Sequence, residues 1–329
     1  GKTRTLTYRV ARLIETGIPP ERILLATFTN KAARSMLERV RELVPADLSR
    51  LLGGTFHHNG HFMLRAHAER LGYSRNFSIL DAEDARQLMA TCMTEAGIDT
   101  KGSSFPKAGV LYGMLSLAAN TEADLAALVP ERFPFFSHRL EDLLKVAALY
   151  GKRKRDSQLM DFDDLLLNWR RLLSECPDVR ERYGERFEHI LVDEYQDTNR
   201  LQAEIIDLLA FRHRNLMVVG DDSQSIYAFR GAHFANIMSF PERYPDCKIF
   251  KLETNYRSTP EILHLANLCI RKNENQYAKS LRPVREAGLR PVVVPARNAL
   301  QQAEFVAQRI LEFHRGGVDL SEMAILYRA

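Results

Sequence analysis

Two short stretches of the sequence carry residue types suited to phosphoryl transfer. The first is Gly1-Lys2-Thr3, followed by a helical pattern with Leu6, Val10, Leu13 and Ile14 on one face. This has the form of the second half of a phosphate-binding loop, G-x-x-x-x-G-K-T, with its upstream strand and first glycine outside the sequence. On that reading Lys2 reaches the β- and γ-phosphates of a nucleotide and the Thr3 hydroxyl holds Mg²⁺. The tripeptide alone is weak, because it recurs by chance. The second stretch is Ile190-Leu191-Val192-Asp193-Glu194, an apolar run delivering two carboxylates at its end, where open α/β sheets bind ligands. Asp193 suits Mg²⁺, and Glu194 suits orienting and deprotonating an attacking water. The competing reading is that both carboxylates only cap the helix beginning near Leu201. Taken with Gly1-Lys2-Thr3, the pair favours hydrolysis of ATP with Mg²⁺ as its ion.

The elements that must position these residues read as α/β. Ile23 to Ala26, Ile190 to Val192, Leu216 to Val219 and Ile249 to Leu252 are short apolar runs expected as buried parallel strands. Helical patterns at Ala32 to Leu43 and Leu201 to Leu209 lie between them, as crossover connections require. From Asp81 to Asp161 the strand signal disappears and helices are expected, among them Ala82 to Gly97 and His138 to Tyr150. Beyond Arg257 come a helix from Pro260 to Lys272, a helix near Gln301 to His314 and a strand at Ala324 to Tyr327, the beginning of a second α/β unit. The expected division is residues 1–80 with 161–250 as one ATPase domain, 81–160 as a helical insertion, and 251–329 as an incomplete second domain.

Composition sets wider limits. The chain has 329 residues, 45% hydrophobic and 27% charged, enough for about two globular domains. No apolar run approaches the roughly 18 residues a bilayer span needs, and the start does not read as a signal peptide, so no membrane partner and a cytoplasmic location are expected. Cys92, Cys176, Cys247 and Cys269 are widely spaced, which suggests neither a disulfide framework nor a zinc site. A net charge of +4 permits an anionic partner without identifying one.

At the second carboxylate stretch the residues become recognisable. Val192-Asp193-Glu194-Tyr195-Gln196-Asp197-Thr198-Asn199 closely resembles the DExx-box of UvrD/Rep/PcrA-like helicases of superfamily 1. Gly220-Asp221-Asp222-Ser223-Gln224-Ser225-Ile226-Tyr227-Ala228-Phe229-Arg230-Gly231-Ala232 is similar to the third motif of that family, and Leu252-Glu253-Thr254-Asn255-Tyr256-Arg257-Ser258 to its fourth. Upstream, Thr27-Phe28-Thr29-Asn30-Lys31-Ala32-Ala33, Gly54-Thr55-Phe56-His57 and Asp161-Phe162-Asp163-Asp164-Leu165 match earlier family motifs in order. The resemblance covers essentially the whole chain. It implies two RecA-like domains with ATP between them, Gln224 at the γ-phosphate, Arg257 as a cationic finger, Tyr256 stacked on adenine, and Arg4 near the nucleotide beside Gly1 and Lys2. It also implies single-stranded DNA as substrate. Phe28, Phe162, Tyr227 and Phe229 match the base-stacking positions, and Thr27, Asn30, Lys31, Thr55 and His57 those touching the DNA backbone, the combination by which sequence-independent single-strand binders work. Tyr227 and Phe229 follow Gln224 closely, so one loop is expected to couple ATP to DNA.

The resemblance further implies a 3′→5′ DNA helicase acting at single/double-strand junctions in repair or replication restart, with accessory proteins as partners. Family members continue past Ala329, so the chain is expected to be truncated at both ends and insufficient alone for unwinding. Two other readings stay open. One is the motor of a RecB- or AddA-like helicase–nuclease; the other is an ATP-regulated single-strand binding module without turnover. Some features depart from the family. Phe229 stands where relatives often have Trp, and His58-Asn59-Gly60-His61 replaces a Ser-led helix. His57 and His61 at i, i+4 lack a third ligand, and metal binding there is not expected. The run Lys152-Arg153-Lys154-Arg155 could meet duplex phosphates or form a solvated helix face.

Overall fold

The computed structural model describes residues 1–98, 105–227 and 231–327. It divides into two compact units: residues 1–253 with 273–279, and residues 254–272 with 280–329. Among the described residues no helix is long and apolar enough to cross a membrane.

In the first unit the elements run α1 (Lys2–Glu15), β1 (Ile23–Thr27), α2 (Asn30–Leu43), β2 (Leu52–Thr55), α3 (Phe56–His67), β3 (Ser78–Ile79), α4 (Ala82–Glu95), α5 (Ala108–Thr121), α6 (Leu125–Arg132), α7 (Leu140–Asp156), β4 (Leu159–Met160), α8 (Phe162–Glu175), α9 (Pro177–Arg186), β5 (His189–Val192), α10 (Arg200–Ala210), β6 (Leu216–Val218), α11 (Ala235–Met238) and α12 (Phe240–Arg243). A four-stranded sheet has the order β2-β1-β5-β6, every neighbouring pair parallel. The strands are apolar on both faces because helices cover both. Successive side chains of β1 point opposite ways: Ile23 and Leu25 join Leu6, Val10 and Leu13 of α1 and Met36 and Val40 of α2 on one face. Leu24 and Ala26 join Phe56 and Met63 of α3, Trp169 of α8 and Ile205 of α10 on the other.

Among the described residues, 82–156 hold four α-helices with a core of their own, built on Met89, Leu111, Met114, Leu128, Leu143 and Val146. The chain enters and leaves this helical stretch side by side, because β3 and β4 pair in parallel, Ser78 beside Leu159 and Ile79 beside Met160.

α3 packs closely on α8. Gly60 makes this possible, since a Cβ there would meet Cε3 of the buried Trp169 at 2.8 Å. Asn59 Nδ2 donates to the Leu25 carbonyl at 3.1 Å. The unusual His58-Asn59-Gly60-His61 sequence is therefore a packing solution between a helix and the sheet.

The second unit contains β7 (Thr254–Asn255), α13 (Pro260–Ile270), β8 (Arg282–Pro283) and α14 (Ala299–Arg315), with β7 and β8 paired in parallel. Two expected strands do not form. Ile249 to Leu252 and Ala324 to Tyr327 have no strand partner among the described residues, and Phe250 and Leu326 are 81% and 96% exposed. An apolar run becomes a strand only where a neighbour accepts and donates its backbone hydrogen bonds. β2 leaves no sequence signal, because Leu52-Gly53-Gly54-Thr55 has too few side chains to show a period.

Candidate functional site

Parallel strands bring their carboxyl ends to one edge of the sheet, and the residues after them share that edge. The ladder continues past β5: Asp193 N donates to the Ala26 carbonyl at 2.9 Å and Tyr195 N to the Val219 carbonyl at 3.0 Å. These bonds fix the two carboxylates relative to β1 and β6. Glu194 takes a left-handed backbone, φ 50°, a cost for a residue with a Cβ that is met where surrounding structure demands it. α1 begins beside them, with Gly1 at its N-cap and Lys2 and Thr3 in its first turn, so free backbone N–H groups and the positive end of the helix dipole are directed where anions bind.

The side chains close the arrangement. Lys2 Nζ lies 2.6 Å from Glu194 Oε2, and the Thr3 hydroxyl donates to Asp193 Oδ2 at 3.2 Å. Asp193 is buried, and burial together with the charge of Glu194 raises its carboxyl above the ordinary range. Neither carboxylate caps the following helix; Asn199 does so, in a reciprocal pair with Gln202 (2.8 and 3.1 Å). Arg4 lies outside this cluster, stacked on Tyr8 with its Nη2 donating to the Tyr8 hydroxyl at 3.2 Å.

A buried glutamine carries the network onward. Gln196 Nε2 donates to Glu194 Oε2 and to Asp197 Oδ2, each at 3.0 Å, and Gln196 Oε1 accepts from Asp221 N at 2.9 Å. Gln224 Nε2 donates to Asp221 Oδ2 at 2.7 Å. Lys279 bonds Asp221 and also Asp222, the latter at 2.6 Å. Burial alone would raise the Asp221 carboxyl, but the Lys279 contact outweighs it and holds it low. Gln196 and Lys279 were not singled out from sequence, since neither residue type marks such a junction.

Beside this cluster lies a cleft of about 470 Å³. It gathers Thr27 at the end of β1, Phe28 just after it, His57 of α3, Phe162 of α8 and Tyr227, five of the residues expected to meet DNA. Phe28 and Tyr227 stack with ring centroids 5.8 Å apart, and His57 meets the edge of Phe162 at 5.5 Å. Burial holds the His57 imidazole below its ordinary pKa, toward the neutral form. Thr27 Oγ1 and Asp197 Oδ1 are buried there with no partner among the described residues, as polar atoms are when a ligand or water completes them.

Thr55 caps α3, its hydroxyl accepting from His58 N at 3.2 Å. Asn30 and Lys31 stand exposed in the first turn of α2, outside the cleft lining. Phe229 lies outside the described residues.

The cleft also contains residues that sequence reasoning missed. Tyr112, Ser116 and Asn120 come from α5, and Asp163, Asp197, Asn199 and Gln202 also line the wall. Asn120 Nδ2 donates to Asp163 Oδ1 at 2.7 Å, and Asn199 Nδ2 donates to Asn120 Oδ1 at 2.6 Å. In the second unit, Tyr256 and Arg257 are exposed in the turn after β7. Asn255 Oδ1 accepts from Arg257 N and Ser258 N, each at 2.9 Å, and Arg285 Nη1 donates to the Arg257 carbonyl at 2.9 Å.

Comparison with known proteins bears on this geometry. Residues 1–245 match the family model described as the UvrD/REP helicase N-terminal domain, and residues 250–329 that of the UvrD-like helicase C-terminal domain. The chain is 40% identical over 332 residues to the ATP-dependent DNA helicase PcrA of Bacillus subtilis, and 38% identical over 329 residues to the PcrA of Staphylococcus epidermidis. Each alignment covers 100% of this chain and 44% of the relative, so the chain spans less than half the length of the curated proteins it matches.

Proposed function

The chain belongs to the UvrD/REP helicase family, and from that premise we propose that the protein it comes from is an ATP-dependent motor that moves 3′→5′ along single-stranded DNA and opens the duplex at junctions. The folds of this family are RecA-like. The observation that carries the proposal is one connected network, in which Lys2, Glu194, Gln196 and Asp197 run without a break from the phosphate-binding helix terminus to the aromatic cleft.

The residues fit a magnesium nucleotide. The Thr3 hydroxyl and Asp193 carboxylate are hard oxygen donors already together, and Lys2 supplies a cation beside them. When bound, the ion would neutralise phosphate charge. Glu194 orients and deprotonates water, Gln224 reports on the γ-phosphate, and Gly1, Arg4 and Tyr256 contribute nucleotide contacts, with Arg257 as the cationic finger. In the cleft Phe28, Phe162 and Tyr227 stack bases and Thr27 and His57 hold the strand's backbone; Phe229 is assigned to stacking, and Asn30, Lys31 and Thr55 to backbone contacts, on the family resemblance of their motifs. We further assign residues 1–80 and 161–250 to the first RecA-like domain, 81–160 to an insertion within it, and 251–329 to the start of a second. The work performed is DNA repair or replication restart, with accessory proteins as partners.

Strand displacement by the full-length protein tests the direction. Duplexes with a 3′ single-stranded tail are expected to open with ATP, and opening confined to 5′-tailed duplexes would overturn the polarity.

A further inference from the structure

Lys154 is an expensive residue for its position. It is 7% exposed, in the last turn of α7, within the otherwise basic run 152–155. A buried ammonium is tolerated only where charged partners compensate it, and such a network as a whole is often replaceable by apolar side chains without loss of stability, so its presence calls for a use. Its contacts show one. Lys154 Nζ lies 2.6 Å from Asp161 Oδ2 and 2.6 Å from Asp164 Oδ2, and those two carboxylates are the capping box of α8. Asp161 Oδ1 accepts from Asp164 N at 2.9 Å, Asp164 Oδ2 accepts from Asp161 N at 3.0 Å, and the Tyr150 hydroxyl also donates to Asp161 Oδ2 at 2.9 Å. A single cation thus cross-links the last turn of α7 to the first turn of α8.

The residues held by that first turn line the cleft. Phe162 opens α8 directly after Asp161 and meets His57 edge-on; Asp163 follows and accepts from Asn120. We propose that Lys154 is a positioning residue of the single-strand cleft, fixing the start of α8 so that Phe162 and Asp163 face the nucleic acid. The proposal rests on the reading of this cleft as the DNA site. Its neighbours in the run behave differently: Arg153 pairs with Glu95 on the surface, and Lys152 and Arg155 are exposed.

A double-mutant cycle in the full-length protein tests it, with binding of an oligothymidylate and its half-activating concentration for ATP turnover as readouts. Lys154→Met is expected to weaken binding by about 10-fold, a loss within the range of one stacked base, and to raise the half-activating concentration with little change in kcat at saturating DNA. Combined with Phe162→Ala, it is expected to bind no worse than Phe162→Ala alone, because both changes remove the same interaction. Lys154→Met/Asp164→Asn removes one of the two buried charges that Lys154→Met leaves without their cation, while leaving the cross-link absent; it is expected to recover part of the thermal stability and leave binding weak. Independent, additive losses from Lys154→Met and Phe162→Ala, or wild-type binding by the folded Lys154→Met/Asp164→Asn protein, would overturn the positioning role. An unchanged affinity in Phe162→Ala alone would instead overturn the cleft reading beneath it.

Discussion

Gln196 has both ends of its amide engaged: Nε2 on Glu194 and Asp197, Oε1 on the Asp221 backbone. It is 1% exposed, so its hydrogen bonds cannot be replaced by water when they are lost. Gln196→Leu is therefore expected to keep nucleotide binding while lowering DNA stimulation of ATP turnover by about 10-fold, the scale of one or two buried hydrogen bonds. Turnover titrated with oligothymidylate checks this, and full stimulation in the variant would show that the two sites communicate by another route. Lys2, Thr3, Asp193 and Glu194 were legible from sequence because each pair is contiguous and strand ends collect ligands. Asn120, Lys154 and Gln196 were not. Asn120 reaches Asp163 across 43 residues of chain, and nothing local in an apolar helix such as α5 signals that its asparagine turns toward a cleft.

Elements follow the same logic one level up. The helices were read from their apolar spacing, and the boundaries agree within a few residues at α2, α4, α10, α13 and α14. α7 starts two residues after its expected beginning at His138, because Pro134 opens a tight turn that runs to Arg139 first. Strands fared differently, since their hydrogen bonds depend on a neighbour that the sequence does not name. The glycines of β2 hide its period, and the apolar run Ile249 to Leu252, which has a strand's composition, lies exposed without a strand partner among the described residues. The contact of α3 with α8 gives a direct test at this scale. Gly60→Ala would place a methyl 2.8 Å from the rigid Trp169 ring, an overpacking expected to cost about 1–3 kcal/mol. A lowered urea midpoint is the expected result, and an unchanged midpoint would mean that the two helices part without penalty. Because α3 carries His57 and α8 carries Phe162, the same variant is expected to bind single strands more weakly.

The whole molecule carries charge where burial resists it. The Asp164 and Asp197 carboxyls are each pushed up to about 6, first by burial and then by the neighbouring charges of Asp161 and Glu194 respectively. A carboxyl whose folded pKa exceeds its unfolded value contributes stability that is complete below about pH 4 and disappears as pH rises through about 6. Asp197→Asn makes the neutral form permanent, so it is expected to raise the urea midpoint near about pH 7.5 and to change it little near about pH 4. The opposite pattern would mean that Asp197 is stabilised as a carboxylate. If the phosphate-binding cluster and the aromatic cleft form a single DNA-driven ATPase, as proposed, both answer to one experiment. The most direct measurement is steady-state ATP turnover by the full-length protein, with and without single-stranded DNA, beside its Glu194→Gln variant. Strong stimulation by DNA and a loss of about 10²–10⁴-fold in the variant, the range for a missing general base, are expected. Turnover indifferent to DNA, or equal in the two proteins, would contradict it.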